Sequence, residues 1–275
     1  ARGWIAVTSN HSLGDRLRMN IFAQTGALTI EGLRETGRMA QFATRGALAG
    51  LLGPFYWRAF LSSLMRIGFT SLPVAGLTAV FTGAALALNI YDGSMRFNAE
   101  TFLPQILSVA IVRELGPVLA ALMVAGRCAS AMAAEIGTMR VTEQIDAMST
   151  LAVDPFKYLI APRILATTVA LPVLVLISDI IGVYGGYLVA VYGLDFSGAV
   201  FIRNIAEFLE ARDTVSGLIK AAVFGFLIAV MGCYYGYRSR GGAQGVGAAT
   251  RTAVVAAAVA IFASNYIMTS LMVEF

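Results

Sequence analysis

Two adjacent charged residues, Arg113 and Glu114, interrupt the apolar run 102–126. A charge inside a membrane segment is costly unless it is paired or hydrated, so such residues mark either a substrate pathway or an ion pair between helices. Consecutive residues of a helix point about 100° apart and cannot pair face to face, so each charge needs another partner. Asp179, an acid within a later apolar run, is a candidate partner for Arg113. A structural ion-pair network and a polar spot in an apolar cavity both remain open.

The residues that follow this pair favour a cavity. Gly116 and Pro117 come directly after Glu114. Proline removes a backbone donor and can bend a helix, which helps to open space beside the charged pair.

A polar insert, residues 133–150, separates two apolar runs. Glu135, Met139, Glu143 and Ala147 recur every four residues and would share one face of a helix. A solvated surface helix has the same pattern. The position between two spans favours a short cytoplasmic helix that transmits force from a soluble motor.

Several kinds of chemistry lack the residues they need. No Gly-Lys-Ser/Thr sequence occurs, so the chain has no P-loop for ATP. The glycine-rich run 242–247 follows no predicted strand and is interpreted as a flexible cytoplasmic turn. One histidine, His11, and two cysteines, Cys128 and Cys233, are too few for a typical metal or acid–base site. We therefore expect no catalytic residue, no metal site and no cofactor in this chain.

The composition indicates an integral membrane protein. Hydrophobic residues make up 58% of the 275 residues and charged residues only 13%, whereas soluble domains average about 25% charged. The net charge of +4 is better explained by arginines that flank spans than by nucleic-acid binding. A spanning helix needs roughly 20 apolar residues. Five runs qualify: 71–91, 102–126, 160–191, 216–237 and 251–273.

The charges of the connecting segments predict the orientation. Residues 238–251 carry three arginines and no acid, which places them in the cytoplasm. Residues 192–213 carry four acids against two arginines and are predicted to lie outside. Five spans then place the N-terminus and residues 127–159 inside and the C-terminus outside. The long third run must tilt, kink at Pro172 or project from the membrane.

The N-terminal part divides into two predicted regions. Residues 1–53 are polar and rich in arginine, and their apolar residues at helical spacing predict a helix on the cytoplasmic membrane surface. Residues 54–69 combine aromatic residues with arginines and predict an interfacial elbow helix before the first span. Residues 54–275 then form one membrane domain that contains the five spans.

Within the predicted helices, three pairs of glycines have the small-xxx-small spacing that lets helix backbones approach closely. They are Gly46/Gly50, Gly182/Gly186 and Gly232/Gly236. The second and third pairs are interpreted as packing surfaces and not as binding sites.

Several motifs, in order and in register from about residue 55 to 272, resemble the MlaE/YrbE permease family. The resemblance is carried by Val112–Pro117, Ala125–Arg127, Ala134–Met139, Val141–Asp146, Val153–Pro155, Gly217–Lys220 and Gly241–Ala253.

This resemblance implies an all-α integral membrane fold, with an elbow helix, five spans and a cytoplasmic coupling helix between the second and third. It implies the permease subunit of an ABC transporter that moves phospholipids or related lipids between the bacterial inner membrane and the outer envelope, maintaining outer-membrane lipid asymmetry. The implied partners are a second copy of the chain, ABC ATPase subunits that use ATP and Mg²⁺, an MCE-domain protein on the outer face and, in some systems, a STAS-domain protein.

The resemblance also implies site residues. Arg113 and Glu114 match a charged pair at the lipid cavity, and Leu86 is a further cavity candidate. The implied ATPase docking residues are Glu135, Gly137, Thr138, Met139, Glu143, Gln144 and Asp146.

Two other function classes remain as alternatives. An ion-coupled secondary transporter or channel would use Arg113, Glu114 and Asp179 as an ion relay without an ATPase. A lipid-modifying enzyme is disfavoured because the sequence lacks a clustered nucleophile and has one histidine. Import and export of lipid both remain open.

Overall fold

The structure is a computed structural model that describes residues 13–51, 56–96 and 99–273. His11 lies outside the described residues. The chain divides into two compact units, residues 1–44 and 45–275. In the first unit the described residues belong to a helix that begins at Leu13.

Eight helices follow one another in the described residues, and no strand occurs among them. They are α1 (Leu13–Leu51), α2 (Trp57–Met95), α3 (Glu100–Val141), α4 (Gln144–Thr150), α5 (Phe156–Gly193), α6 (Gly198–Phe208), α7 (Ala211–Tyr237) and α8 (Gly242–Val273).

In the described ranges, five helices are long and apolar enough to cross a membrane. These helices, α2, α3, α5, α7 and α8, contain the five runs predicted from the sequence. The predicted class, an all-α multi-pass membrane protein, is confirmed.

The predicted elbow helix does not form a separate element. Residues 54–69 were expected to end before the first span, but α2 runs without a break from Trp57 to Met95. Pro73 is accommodated inside α2. Gly68 lies near the boundary of the two parts but is itself helical, so the helix continues through it.

The insert 133–150 is not one helix either. Its first part continues α3 as far as Val141, and α4 begins only at Gln144. Glu143 lies between α3 and α4, at a junction that we call the corner. Its backbone is left-handed, with φ of 60°, which ends the regular helix. The ion pair between Arg140 and Asp146, 2.6 Å long, spans the corner. The predicted face with four-residue spacing is therefore divided between two helices.

Glycines let the spanning helices approach closely. A Cβ on Gly83 of α2 would collide with the carbonyl of Gly182 in α5. Gly232 of α7 lies against α3, where an added Cβ would be 3.0 Å from the Cα of Ala129. The interpretation of Gly182/Gly186 and Gly232/Gly236 as packing surfaces is confirmed.

Candidate functional site

The site begins with an irregular turn in the middle of α3. Residues Ile111–Leu115 form a π-helical turn. Pro117 follows it and has no N–H, so the carbonyl oxygen of Arg113, four residues earlier, loses its usual helical donor. Such turns in a helix are frequent at functional sites. The sequence thus leaves a free backbone acceptor beside the charged pair.

Lys220 of α7 uses this acceptor. Its Nζ donates to the carbonyl oxygen of Arg113 at 3.1 Å, to Oε1 of Glu114 at 2.5 Å and to Oγ1 of Thr269 at 2.8 Å. The side chain is only 2% exposed. An ammonium group has three donors, and here each donor has an acceptor, which offsets the cost of burying the charge.

Glu114 is the centre of this hydrogen-bond network. Its Oε1 also accepts a hydrogen bond from Thr269 at 3.0 Å, and its Oε2 accepts one from Nδ2 of Asn265 at 3.0 Å. Both of these residues lie on α8. One carboxylate therefore joins three spanning helices, α3, α7 and α8.

Arg113 pairs with Asp213 at the start of α7. Its Nε donates to Oδ1 of Asp213 at 2.5 Å. The second carboxylate oxygen of Asp213 accepts the backbone N–H of Glu210 at 3.2 Å and so caps α7. The side chain of Asp213 is 3% exposed and that of Arg113 is 49% exposed. We call Arg113, Glu114, Asp213 and Lys220 the mid-span cluster.

The expectation that Arg113 pairs with Asp179 is wrong. Asp179 is buried against Gly116, and its Oδ1 has no hydrogen-bond partner among the described residues. Asp213 binds Arg113 in its place because α7 lies on that side of α3. Gly217 permits this close approach, since a Cβ there would collide with the carbonyl of Val112.

A cavity of about 670 Å³ opens beside the mid-span cluster. The four charged side chains lie on its wall, together with Thr269. The rest of the wall consists of two polar residues, Arg212 and Ser216, and four apolar ones, Val215, Ile219, Leu271 and Met272. Its size is within the range of ligand-binding pockets, and its wall combines charged and apolar side chains.

Leu86 does not line this cavity. It lines a separate pocket of about 440 Å³, together with Phe81 and Leu115. The structure thus brings Arg113 and Glu114 together at one cavity and leaves Leu86 at another.

The residues implied in ATPase docking fall into two groups. Thr138, Glu143, Gln144 and Asp146 are exposed at or near the corner between α3 and α4. The other three contact the bundle or are partly covered: Gly137 is buried against Ser239, Met139 is half-buried, and Glu135 forms ion pairs with Arg66 and Arg163.

Sequence reasoning missed four residues of this site: Asp213, Lys220, Asn265 and Thr269. Lys220 could have been found as a lone charge within the apolar run 216–237. Asp213 was assigned to an outer loop, and the two α8 residues carry no signal because uncharged polar residues are common in spans.

Comparison with known proteins agrees with this architecture. The sequence profile of the family described as Permease MlaE matches residues 60–271. A probable ABC transporter permease protein of Rickettsia bellii is 47% identical over 253 residues, covering 92% of this chain and 98% of the relative.

Two further relatives come from distant organisms. The intermembrane phospholipid transport system permease protein MlaE of Haemophilus influenzae is 35% identical over 92% of this chain and 98% of its own length. Protein TRIGALACTOSYLDIACYLGLYCEROL 1, chloroplastic, of Arabidopsis thaliana is 39% identical over 80% of this chain and 63% of its own length. With its profile match, its close relatives and its five spanning helices, the chain belongs to the MlaE permease family.

Proposed function

We propose that this chain is the membrane-spanning subunit of an ATP-driven ABC transporter that moves phospholipids between the inner membrane and the outer envelope, and so maintains outer-membrane lipid asymmetry. The observation that carries the proposal is the cavity at the mid-span cluster, where five charged side chains lie beside an apolar patch. The names of the Haemophilus and Rickettsia relatives support the substrate and the transporter class.

The cavity suits a molecule with an anionic head and apolar tails. Each methylene group that leaves water contributes about 0.8 kcal/mol, so acyl chains favour apolar walls such as those formed by Ile219 and Leu271. The guanidinium of Arg113 is half exposed and still has donors for a phosphate oxygen. Glu114 and Lys220 neutralise each other and hold the helices around the lipid.

The transporter consists of a homodimer of this chain, ABC ATPase subunits, an outer MCE-domain protein and, in some systems, a STAS-domain protein. The N-terminus faces the cytoplasm of a bacterium. ATP and Mg²⁺ bind to the ATPase, which contacts the exposed corner between α3 and α4. Residues Glu143, Gln144 and Asp146 form the centre of that contact.

The continuity of α3 suits force transmission. Glu114 and Val141 lie on the same spanning helix, 27 residues or about 40 Å apart at 1.5 Å per residue. A movement of the corner therefore reaches the mid-span cluster. Gly232 and Gly236 pack α7 tightly on α3, so the helices carrying Glu114 and Lys220 move together. The π-helical turn Ala125–Ala129 lies between corner and cluster, where the helix can adjust.

The test is lipid transfer between liposomes by the complex of permease and ATPase. Glu114→Ala should reduce ATP-dependent phospholipid transfer at least tenfold while the subunits still co-purify. Asp92→Ala, which removes an exposed acid whose only ion pair among the described residues is with Arg96, is the matched control and should transfer lipid normally. Normal transfer by Glu114→Ala would contradict the site. Ion flux without the ATPase would instead support the ion-coupled alternative.

The proposed contact between the ATPase and the corner is tested separately, by co-purification. Asp146→Arg reverses an exposed charge at the corner and should weaken co-purification of the ATPase, whereas Asp92→Arg should not. Equal recovery of the ATPase with both variants would contradict docking at this corner.

A further inference from the structure

A second group of charges lies away from the mid-span cluster. Arg66 of α2, Arg127 of α3 and Arg163 of α5 surround a cavity of about 230 Å³, together with Glu135. We call these four residues the arginine cluster. Glu135 accepts hydrogen bonds from both Arg66 and Arg163, the second at 2.9 Å.

The charges of the arginine cluster do not balance. Three guanidinium groups face one carboxylate, so the formal charge at the cavity is +2. Among the described residues Arg127 has no carboxylate partner and donates only to the hydroxyl groups of Ser71, at 2.8 Å, and Thr70. Nη1 of Arg163 is also buried, and it has no hydrogen-bond partner among the described residues. Such a surplus of guanidinium donors fits an anion with several oxygen atoms.

The size of the cavity and its surroundings narrow the class of anion. A volume of 230 Å³ holds a phosphate group with a small substituent but no acyl chains. Ser62 and Ser63 add hydroxyl groups to the wall. Directly beside Arg66, the side chains of Met65 and Phe69 are 66% and 75% exposed on the outside of α2. An anion with apolar tails could use both surfaces at once.

The depth of the cavity also fits a lipid head. Arg127 lies 13 residues beyond Glu114 on α3, or about 20 Å along the helix. Arg127 also comes directly after the apolar run 102–126, so it lies at the end of the predicted span, where lipid heads are. Tyr158, on the cavity wall, and Trp57, earlier on α2, are both partly exposed, as aromatic residues at the membrane surface are.

We propose that the arginine cluster binds the phosphate group of a phospholipid in the adjacent leaflet, with the acyl chains lying along the outside of α2. Arg127 and Arg66 contact the phosphate, and Glu135 positions Arg66 and Arg163. The proposal depends on the chain spanning a membrane and not on lipid transfer, so the two can fail separately.

The experiment is native mass spectrometry of the permease, purified with its partners in detergent and titrated with dioleoyl-phosphatidylglycerol. Arg127→Gln should lower the retained phosphatidylglycerol about tenfold, the effect of losing a charge-assisted hydrogen bond. Arg203→Gln, which alters an exposed arginine that pairs, in the described part of the chain, with Glu207 alone, should leave retention unchanged. Arg66→Lys keeps the charge but loses the guanidinium fork, and should give an intermediate loss. Thermal unfolding checks that each variant is folded.

Two comparisons identify the source of the phosphate. Dioleoylglycerol, which lacks the phosphate, should bind equally weakly to wild type and Arg127→Gln. Inorganic phosphate at millimolar concentration should not displace the phospholipid. Displacement by inorganic phosphate, or equal retention of phosphatidylglycerol by wild type and by both folded arginine variants, would overturn the proposal. The Arg127→Gln effect should persist in the Glu114→Ala background, because the two sites lie about 20 Å apart.

Discussion

The mid-span cluster and the arginine cluster both contain basic and acidic side chains, but only the first contains equal numbers of the two. At mid-span two basic and two acidic residues form two ion pairs, Arg113 with Asp213 and Glu114 with Lys220. In the arginine cluster three basic residues share the single carboxylate of Glu135. Charges inside hydrocarbon must find their partners within the protein, whereas residues at the membrane surface can take theirs from lipid heads and water. The difference goes with burial, since the side chains of Lys220 and Asp213 are 2% and 3% exposed and that of Arg66 is 60% exposed.

The two clusters also differ in what they connect. The mid-span cluster, with Thr269 and Asn265, joins α3 to α7 and α8. The arginine cluster joins α3 to α2 and α5. A spanning helix that carries both clusters links the candidate substrate cavity to the end of the bundle where α4 forms its corner.

The largest loss of stability is expected when the cation of the mid-span cluster is removed. Lys220→Met leaves Glu114 and the Arg113 carbonyl without their shared donor. We expect a loss of about 2–3 kcal/mol in the free energy of unfolding, at the low end for a broken buried pair because Glu114 is 38% exposed. Chemical denaturation in detergent measures it. Adding Glu114→Gln should recover part of the loss, and strictly additive losses would contradict the pairing.

The next effect comes from the close approach that allows the mid-span pairs to form. Gly217→Ala places a Cβ against the carbonyl of Val112 and must push α7 away from α3. Overpacking of this kind costs about 1–3 kcal/mol. Gly68→Ala is the control, because an added Cβ there meets no atom within 4 Å. Equal thermal stability of the two variants would show that α7 does not pack against α3 at this point.

A smaller effect distinguishes the two acids that could have paired with Arg113. Asp213→Asn weakens the ion pair but keeps an oxygen to cap α7, so we expect a loss of about 1 kcal/mol. Asp179→Asn breaks no ion pair in the structure and should not lower stability. Thermal unfolding of both variants, with and without Arg113→Gln, measures the coupling. Coupling of Arg113 to Asp179 and not to Asp213 would contradict the assignment.

The smallest effect on stability is expected in the arginine cluster. Glu135→Gln removes its single acid but keeps an amide oxygen for Arg163, which is 16% exposed, and Arg66, 60% exposed, can turn to water, so the loss should be about 1 kcal/mol. The same change raises the positive charge and should increase phosphatidylglycerol retention. Denaturation and native mass spectrometry measure the two quantities. A loss as large as that of Lys220→Met would mean that the clusters do not differ as described.

The sequence predicted some of the site because charges inside apolar runs are conspicuous. Arg113 and Glu114 were recognised, as was their inability to pair with each other. Their partners were not, because Lys220 lies 106 positions after Glu114 and Asp213 lies 100 after Arg113. Helical periodicity reports which residues share a face but not which helices become neighbours. The corner at Glu143 was missed for a related reason, since a positive φ at a glutamate has no signature in composition.

By itself, the sequence determined that the chain is a bundle of five spanning helices with charges in the middle of the second. The number and length of its apolar runs decide this, because unpaired backbone groups in lipid force each run into a helix. Only the tertiary structure decided which charges pair, where α2 and α3 continue beyond their apolar runs, and which arginines share a cavity. These outcomes depend on how closely the helices approach, and side chains far apart in the chain set that distance.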